Sequence, residues 1–217
     1  EVVPGIVKPG ELQRVLQNLL RERVAIRDLE SILETLSEWG PKTKDLDVLT
    51  EYARNALRRT ICQQYAVPTE AEAAAAAEGA GNGAGSTAAV AGGALGGVGG
   101  RIVCITLDPD LQELINAYID RTTGATTFNM QARISSQVSE AILKAMSQLV
   151  GQGHQPVILA SPQIRAVVRQ IIEPHLPNAA VLGYNEIVNG VEIESVAMVS
   201  VPPGVTAALG QQVAAAA

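Results

Sequence analysis

Apolar residues in the first 68 positions recur at the spacing of amphipathic helices. The first stripe follows the i, i+3, i+4, i+7, i+8 pattern and consists of Leu12, Val15, Leu16, Leu19 and Leu20. Asp28 is placed as the N-cap of a second helix that ends at Gly40-Pro41, and Asp45 as the N-cap of a third helix with Leu57 on its apolar face. The pattern predicts a three-helix subdomain over residues 1–68.

The pattern changes after residue 100, where short apolar runs alternate with helical stripes. Strands are predicted at 102–107, 156–160, 179–184 and 191–201, and Ser161 is placed as the N-cap of a helix that runs from Pro162 to Ile172. A Val188-Asn189-Gly190 turn before the last strand predicts that the last two strands form an antiparallel hairpin. The fold class expected is α+β or α/β, with a mixed sheet of about four strands in a subdomain over residues 101–201.

Residues 69–100 separate these two halves and have a very different composition. They contain 12 alanines and 10 glycines, together 22 of the 32 residues, and no Lys or Arg. Ordering such a segment costs about 1–2 kcal/mol per residue of backbone entropy, with few large side chains to bury in return. We therefore expect a disordered insertion or linker at 69–100, and likewise a disordered tail at 202–217.

Charge and composition narrow the classes of partner and compartment. The chain carries 16 Lys+Arg against 22 Asp+Glu, a formal net charge of −6, and has no basic block that could follow a phosphate backbone. We therefore expect no nucleic-acid partner. The chain starts at Glu1 without a signal peptide and has no apolar run near the ~20 residues of a membrane-spanning helix, which predicts a soluble piece cut from a longer protein.

The residues that could carry catalysis do not form a recognisable set. Gly79, Gly81 and Ala84 match a dinucleotide fingerprint, but they follow a predicted helix and precede a strand, the reverse of the required context. Ser161 lacks a nucleophile-elbow motif, and His154 and His175 are the only imidazole bases available. Cys62 and Cys104 lack metal-binding spacing. We expect no catalytic, cofactor-binding or metal-binding residue, and no enzymatic activity.

Two surface runs are the better candidates for function. Pro41 to Asp45 forms a rigid, charged turn between helices, and Gly183 to Ile187 leaves a strand with a Tyr, an amide and an acid in succession. Each run is also compatible with an ordinary solvated corner or loop. The candidate protein-interface residues are Lys42, Lys44, Asp45, Tyr184, Asn185 and Glu186.

Five segments, in order along the chain, resemble the FlhA family of type III secretion export-gate proteins. Residues 24–34 are similar to the family segment GVSIRDLxxILE, and residues 43–54 to TKDPDxLTEYVR. Residues 105–109, 156–165 and 181–187 resemble TLDP, PVLLxSPxLR and VLSYNEI. The sequence departs from these patterns at Arg23, Ala25 and Leu46, and the 69–100 segment has no counterpart. The Thr-Lys-Asp and Tyr-Asn-Glu-Ile forms are more similar to the flagellar branch than to the virulence branch.

The resemblance implies a place in a secretion machine. In this family an N-terminal membrane half precedes four cytoplasmic subdomains, which assemble into a nine-membered ring and receive export chaperones with their substrates. Residues 1–68 would be the third subdomain and residues 101–201 the fourth, at the cytoplasmic face of the bacterial inner membrane. The partners implied are the membrane half, the upstream subdomains, other copies in the ring, chaperone–substrate complexes and other export proteins. The alternatives are a virulence-system homologue or a small α/β ligand-binding or enzymatic domain.

Overall fold

A computed structural model describes residues 5–69, 99–120 and 127–205. The chain divides into two compact units, of which the first contains the residues up to Thr43, Val48–Val103 and Asn185–Glu194. The second contains Lys44–Asp47, Cys104–Tyr184 and the residues from Ser195 onward. The predictions for residues 70–98, including the Gly79 fingerprint, lie outside the described residues. So does the predicted tail beyond Val205, a residue that is itself buried.

The first two helices begin where the capping residues place them. Helix α1 spans Pro9–Arg21, and the Glu11 carboxylate accepts a hydrogen bond of 2.9 Å from the Lys8 amide. Helix α2 spans Leu29–Trp39, and the Asp28 carboxylate accepts from both the amide and the hydroxyl of Ser31, at 3.1 and 2.7 Å. These bonds satisfy amides that have no partner inside the helix. The prediction that Asp28 caps the second helix is confirmed.

The predicted third helix is two helices in the structure. Helix α3 spans Leu46–Ala56 and helix α4 spans Arg58–Tyr65, with Leu57 between them at φ −85° and ψ 6°. The Ile61 amide still donates to the Leu57 carbonyl at 3.0 Å, so the break is local. Because Leu57 and Ile61 stay buried on either side of it, the apolar spacing runs through the break and could not reveal it.

The buried apolar side chains within residues 5–69 come from all four of these helices and from their connections. They are Val7, Val15, Leu19, Val24, Ile32, Leu36, Leu49, Ala53, Leu57, Ile61 and Cys62. The stripe on α1 is narrower than predicted, since Leu20 is 54% exposed. Consecutive helical residues differ by about 100° around the axis, so Leu20 points well away from the buried Leu19. Leu29, the first residue of α2, is exposed as well, although it lies on the same helical face as the buried Leu36.

The described residues from 99 onward contain a four-stranded sheet. Its strands are β1 Arg101–Leu107, β4 Val157–Ala160, β5 Ala180–Gly183 and β6 Glu192–Val199, in the order β5-β4-β1-β6. A separate antiparallel pair joins β2 Ile119–Asp120 to β3 Thr127–Phe128. Strands β1, β4 and β5 are parallel, with Ile158 opposite both Ile105 and Val181. Buried on both faces, β4 and β5 are continuous apolar runs, as parallel strands usually are.

Three helices connect these strands: α5 Pro109–Ala117, α6 Ala132–Gly151 and α7 Arg165–Ile172. The spacing of six apolar residues predicts a long helix before the second strand: Ile134, Val138, Ala141, Ile142, Ala145 and Leu149. The structure has this helix as α6, in which the two alanines are half-buried, the other four residues are buried and Met146 is buried in addition. None of the helices that the structure describes is long and apolar enough to cross a membrane.

Two local predictions in this part of the chain are wrong. The last two strands do not form a hairpin, because β5 and β6 lie at opposite edges of the sheet. The turn at Gly190, where φ is 96°, is present, but the connection 184–191 is long enough to carry the chain to the far edge. Ser161 is not the N-cap of the following helix, since α7 begins only at Arg165 after a turn in which the Ser161 carbonyl accepts from the Ile164 amide at 3.1 Å.

Candidate functional site

The end of α2 forms a turn that fixes Lys42 against an aromatic ring. The amides of Lys42 and Thr43 both donate to the Trp39 carbonyl, at 2.9 and 3.0 Å. The Lys42 ammonium lies 3.9 Å from the centre of the Trp39 ring and 3.2 Å from a Glu38 carboxylate oxygen. Since a cation is attracted to the face of an indole ring, the side chain has a preferred position although it is exposed. The predicted interface residue Lys42 is therefore a positioned surface charge.

The next two candidate residues have different environments. Lys44 is exposed. Asp45 is half-buried, and its carboxylate accepts a 2.9 Å hydrogen bond from the Asp47 amide at the start of α3. The role of Asp45 as an N-cap is thus confirmed. Capping alone accounts for an acid at this position, so the residue type is not evidence for an interface.

The second candidate run forms a short 3-10 turn, Tyr184–Glu186, directly after β5. Tyr184 is 42% exposed, and its pKa is raised by partial burial of the phenol and further by the thiol of Cys104. Asn185 is exposed, whereas Glu186 is buried. Two of the three candidate residues in this turn are therefore available to a partner, and Glu186 can influence an interface only through the residues around it.

The buried Glu186 forms an ion pair with Arg54 on α3, which compensates for the loss of water around its charge. The guanidinium holds both carboxylate oxygens, with Nε 2.6 Å from Oε1 and a terminal nitrogen 3.0 Å from Oε2. A further nitrogen of Arg54 donates to the Glu22 carboxylate at 3.0 Å. Arg54 and Glu186 are each 2% exposed and Glu22 is 15% exposed. Such a bidentate pair is among the strongest and most directional contacts that side chains make.

Sequence reasoning did not find Arg54, although a signal was present. Thr50, Arg54, Leu57 and Ile61 follow the i, i+4, i+7, i+11 spacing of one helical face, and all four are buried. A fully charged side chain on an otherwise apolar stripe needs a partner, because an unpaired buried charge is costly. The sequence could have predicted that Arg54 has an acidic partner, but not that the partner is Glu186, 132 residues away.

Cys62 lies against the same acid. Its thiol donates a hydrogen bond to the Glu186 backbone carbonyl, with the sulfur 3.1 Å from the oxygen. Burial is the main effect and raises the pKa of the Cys62 thiol, the hydrogen bond with the Val188 backbone opposes it, and the smaller effects of the Glu186 carboxylate and of Arg58 raise and lower the pKa respectively. Because the thiolate is the reactive form, this environment makes Cys62 a poor nucleophile at neutral pH.

A shallow groove of about 640 Å³ lies on the exposed side of α2. It is lined by Glu30, Leu33, Glu34, Ser37 and Glu38. Three acids at i, i+4, i+8 spacing border Leu33 and Ser37, and α2 contains no basic residue. The groove was not among the sequence predictions, because the spacing of the acids indicates an acidic helix face but not a concave surface. Its chemistry suits a surface with apolar and basic groups.

The residues considered for catalysis have structural roles or lie apart from any described cluster. The Ser161 amide donates to the side chain of Gln112 at 2.9 Å, and that side chain donates to the Leu107 carbonyl at 2.8 Å. His175 is exposed and borders a pocket of about 330 Å³ with Phe128 and several serines, and His154 is half-buried in the loop after α6. Across the described parts of the chain, no three His, Cys, Asp or Glu residues are grouped so that they could hold a metal ion.

Sequence comparisons relate most of the chain to one group of proteins. A family model described as "FHIPEP family" matches residues 1–77 and 94–192. The flagellar biosynthesis protein FlhA of Bacillus subtilis is 31% identical over 201 residues, which are 93% of this chain and 25% of that protein. The low calcium response locus protein D of Yersinia pestis is 28% identical over 193 residues, 88% of this chain and 23% of that protein. The chain thus spans about a quarter of the length of these relatives.

Solved structures show the same fold. The Chlamydia pneumoniae CdsV protein matches 91% of this chain and 48% of its own length, with a TM-score of 0.69 at 24% identity. The nonameric SctV-C of EPEC, determined by cryo-EM, matches 87% of this chain and 48% of its own length, with a TM-score of 0.63 at 28% identity. This chain therefore corresponds to about half of the chain in each of these structures.

Proposed function

Because this chain belongs to the FHIPEP family, the export-gate family of type III secretion, we propose that it is part of the export gate of a flagellar protein export apparatus. The observation that carries the flagellar assignment is the similarity to a flagellar biosynthesis protein over nearly the whole chain. The Thr43-Lys44-Asp45 and Tyr184-Asn185-Glu186 forms support the same branch. The second candidate is the corresponding part of a virulence secretion system, which the similarity to the Yersinia protein favours.

We propose that the work of this chain is done by its surfaces and not by catalysis. Two related cytosolic domains, both 28% identical to this chain, are described as nonameric. A ring of that kind needs two different patches on each subunit, because its contacts are head-to-tail. Lys42, Lys44, Asp45, Tyr184 and Asn185 lie at least partly on the surface and are the candidate contact residues. The remaining partners would be the membrane half, the upstream subdomains and chaperone–substrate complexes at the inner membrane.

A segment exchange separates the two secretion branches. The quarter of Bacillus subtilis FlhA that matches this chain is replaced by residues 1–217, and swimming motility and secreted flagellin are measured. The parallel exchange is made in the Yersinia pestis relative, with secretion of its own substrates as the readout. A strain with its own segment restored gives the upper limit of motility and secretion, and a strain lacking the segment gives the lower limit. We expect function only in the flagellar exchange, and function only in the Yersinia exchange would favour the virulence system.

The ring is tested on purified protein. The cytosolic region of the flagellar chimera should reach the mass of a nonamer by light scattering, whereas residues 1–217 alone should stay mostly monomeric at micromolar concentration. Stable interfaces generally bury about 1,200–2,000 Å², and contacts in the intact protein also gain from tethering to the membrane half. A chimera that exports flagellin but never exceeds monomer mass would contradict the ring and leave the export assignment standing.

The alternative of a ligand-binding or enzymatic domain has its own test. The purified chain is titrated with nucleotides and with divalent metal ions by calorimetry. We expect no saturable heat change. Saturable binding at micromolar affinity would contradict a role carried by protein-binding surfaces alone.

A further inference from the structure

Asn185–Glu194 is a segment of the first unit that is separated in sequence from the rest of that unit. We call it the strap. Glu186 is its one buried residue, since Ile187, Val188 and Val191 are half-buried and the others are exposed. Little apolar surface therefore holds the strap in place, and its attachment must depend mainly on polar contacts.

Glu186 makes the contacts that are fully shielded from water. Its carboxylate takes two hydrogen bonds from Arg54, at 2.6 and 3.0 Å, and its backbone carbonyl accepts from the Cys62 thiol at 3.1 Å. One residue of the strap is thus fixed to α3 through its side chain and to α4 through its main chain. The strap covers the sulfur of Cys62, which is 0% exposed.

The strap ends in the sheet, because Glu192–Glu194 are the first residues of β6, which pairs with β1. The other described contacts of the strap are at this end. The Glu192 amide donates to the Gly100 carbonyl at 2.9 Å, a single neutral bond. Glu194 pairs with Arg101 at 2.9 Å, but the two side chains are 47% and 30% exposed. Exposed ion pairs contribute little, because water competes for both charges.

Arg54 does not depend on the strap alone. Its contact with Glu22, the residue that follows α1, stays available if Glu186 leaves. The helices also keep their own apolar core, which includes Leu19, Ile32 and Leu36 and no residue of the strap. Loss of the strap would therefore leave the guanidinium paired with Glu22 and the four helices with their packing.

We propose that Arg54 and Glu186 form a latch, and that residues 185–191 of the strap open while helices α1 to α4 remain folded and β6 stays in the sheet. Opening frees the Glu186 carboxylate into water and uncovers the face of α3 and α4 that carries Arg54 and Cys62. It also moves Asn185, a candidate contact residue, so that the latch sets whether this surface is presented. The latch belongs to the fold of this chain and is the same for either secretion branch.

Cys62 provides a direct measure of opening, because a thiol reagent can modify it only when the strap is away. Labelling of the 217-residue chain is followed by mass spectrometry of the peptides, so that Cys62 and the equally buried Cys104 of β1 are measured separately. In Glu186→Gln the charge-assisted pair is lost, and labelling of Cys62 should become roughly ten- to hundredfold faster. Cys104 labelling and amide exchange in α2 should not change.

Glu192→Gln is the matched control, since it removes an exposed acid from the same strap. It should leave Cys62 labelling at the rate of the unmodified chain. Unchanged Cys62 labelling in Glu186→Gln, or equal acceleration of Cys62, Cys104 and the α2 amides, would overturn the latch. If the variant does not fold, hydrogen exchange of the unmodified chain decides: the amides of residues 185–191 should exchange faster than those of α3, and exchange of both only through global unfolding would reject the proposal.

Discussion

The ring of Trp39 at the end of α2 stacks on the ring of Tyr52 in α3, with centroids 3.9 Å apart and planes 10° from parallel. The ammonium of Lys42 lies 3.9 Å from the centre of the same indole ring. Aromatic pairs and cation–π contacts each stabilise the fold beyond the contribution from burial of the ring surfaces. The turn that the sequence marks as a charged surface corner is therefore also a packed junction between two helices, and substitutions in it can affect stability.

Lys42→Glu should lower the free energy of unfolding by about 0.5–1 kcal/mol, because it removes the cation from the Trp39 ring and places a second acid beside Glu38. Lys44→Glu, the matched change at an exposed site, should stay within about 0.5 kcal/mol of the unmodified chain. Urea unfolding followed by fluorescence of Trp39, the only tryptophan, measures both. Equal midpoints for the two variants would mean that the Lys42 contact contributes nothing.

Gly100→Ala should destabilise the chain by about 1 kcal/mol or more, because Gly100 has a φ of 103° and an added Cβ would lie 2.6 Å from the Val67 carbonyl oxygen. That carbonyl pairs with the Arg101 amide in the bridge between Val67 and Arg101. Gly10→Ala is the opposite case, since Gly10 lies in α1 with no atom within 4 Å of an added Cβ.

Gly10→Ala should raise stability by up to about 1 kcal/mol through helix propensity. Thermal unfolding followed by circular dichroism compares the two glycine variants. Destabilisation by Gly10→Ala, or a neutral Gly100→Ala, would show that the backbone at that position adjusts.

The sequence predicted those parts of the fold that depend on local pattern. The capping acids Asp28 and Asp45 were correctly placed. The predicted apolar stripe of α6 is buried at four of its six positions, with Ala141 and Ala145 half-buried and Met146 not predicted. The fold class and the resemblance to the export-gate family are confirmed, since the family model and the related structures cover most of the chain. These features could be predicted because helix periodicity, caps and ordered family segments are each readable within short windows.

The errors arose where contacts distant in sequence decide the structure. The turn at Gly190 is locally correct, yet the position of β6 beside β1 depends on which sheet edge is free. Glu186 was selected as a surface acid, because a Tyr-Asn-Glu sequence carries no sign that an arginine 132 residues earlier will bury it. The break between α3 and α4 at Leu57 was not predicted, because the helices on both sides of it keep the same buried face.

Leu57→Asp should unfold the helices of the first unit, because it puts an unpaired carboxylate in place of a buried leucine at the α3–α4 junction, at a cost on the order of several kcal/mol. Ala56→Asp makes the same change at the adjacent exposed position and should leave the helical signal intact. Circular dichroism at 222 nm reports the outcome. A Leu57→Asp protein with normal helical signal would show that the junction opens easily to water.

Arg169→Met should cost roughly 2 kcal/mol or more, because the guanidinium of Arg169 on α7 donates to the Ala179 carbonyl at 2.6 Å and to the Pro177 carbonyl at 3.1 Å. Methionine keeps much of the buried stem but leaves both carbonyls without that donor. Gln170→Met, at the next and exposed position of α7, should be nearly neutral. Chemical denaturation of both variants gives the comparison, and a loss no greater for Arg169→Met than for Gln170→Met would contradict the assigned role.

The cap of α2 should make stability depend on acidity in a defined direction. The side chain and the amide of Ser31 both donate to the Asp28 carboxylate, and these bonds lower its pKa in the folded chain. A carboxyl whose folded pKa lies below its unfolded value of about 3.9 stabilises the fold at higher pH. That contribution is lost as the pH falls from the unfolded pKa through the lowered folded pKa.

Asp28→Asn keeps a capping oxygen but cannot titrate, so the stability difference between the two proteins isolates the carboxylate. Urea midpoints are measured from pH 7 to about 2.5. The midpoint of the unmodified chain should fall relative to that of Asp28→Asn only in the acidic range. Parallel curves over the whole range would mean that the Asp28 carboxylate gains nothing from its bonds to Ser31.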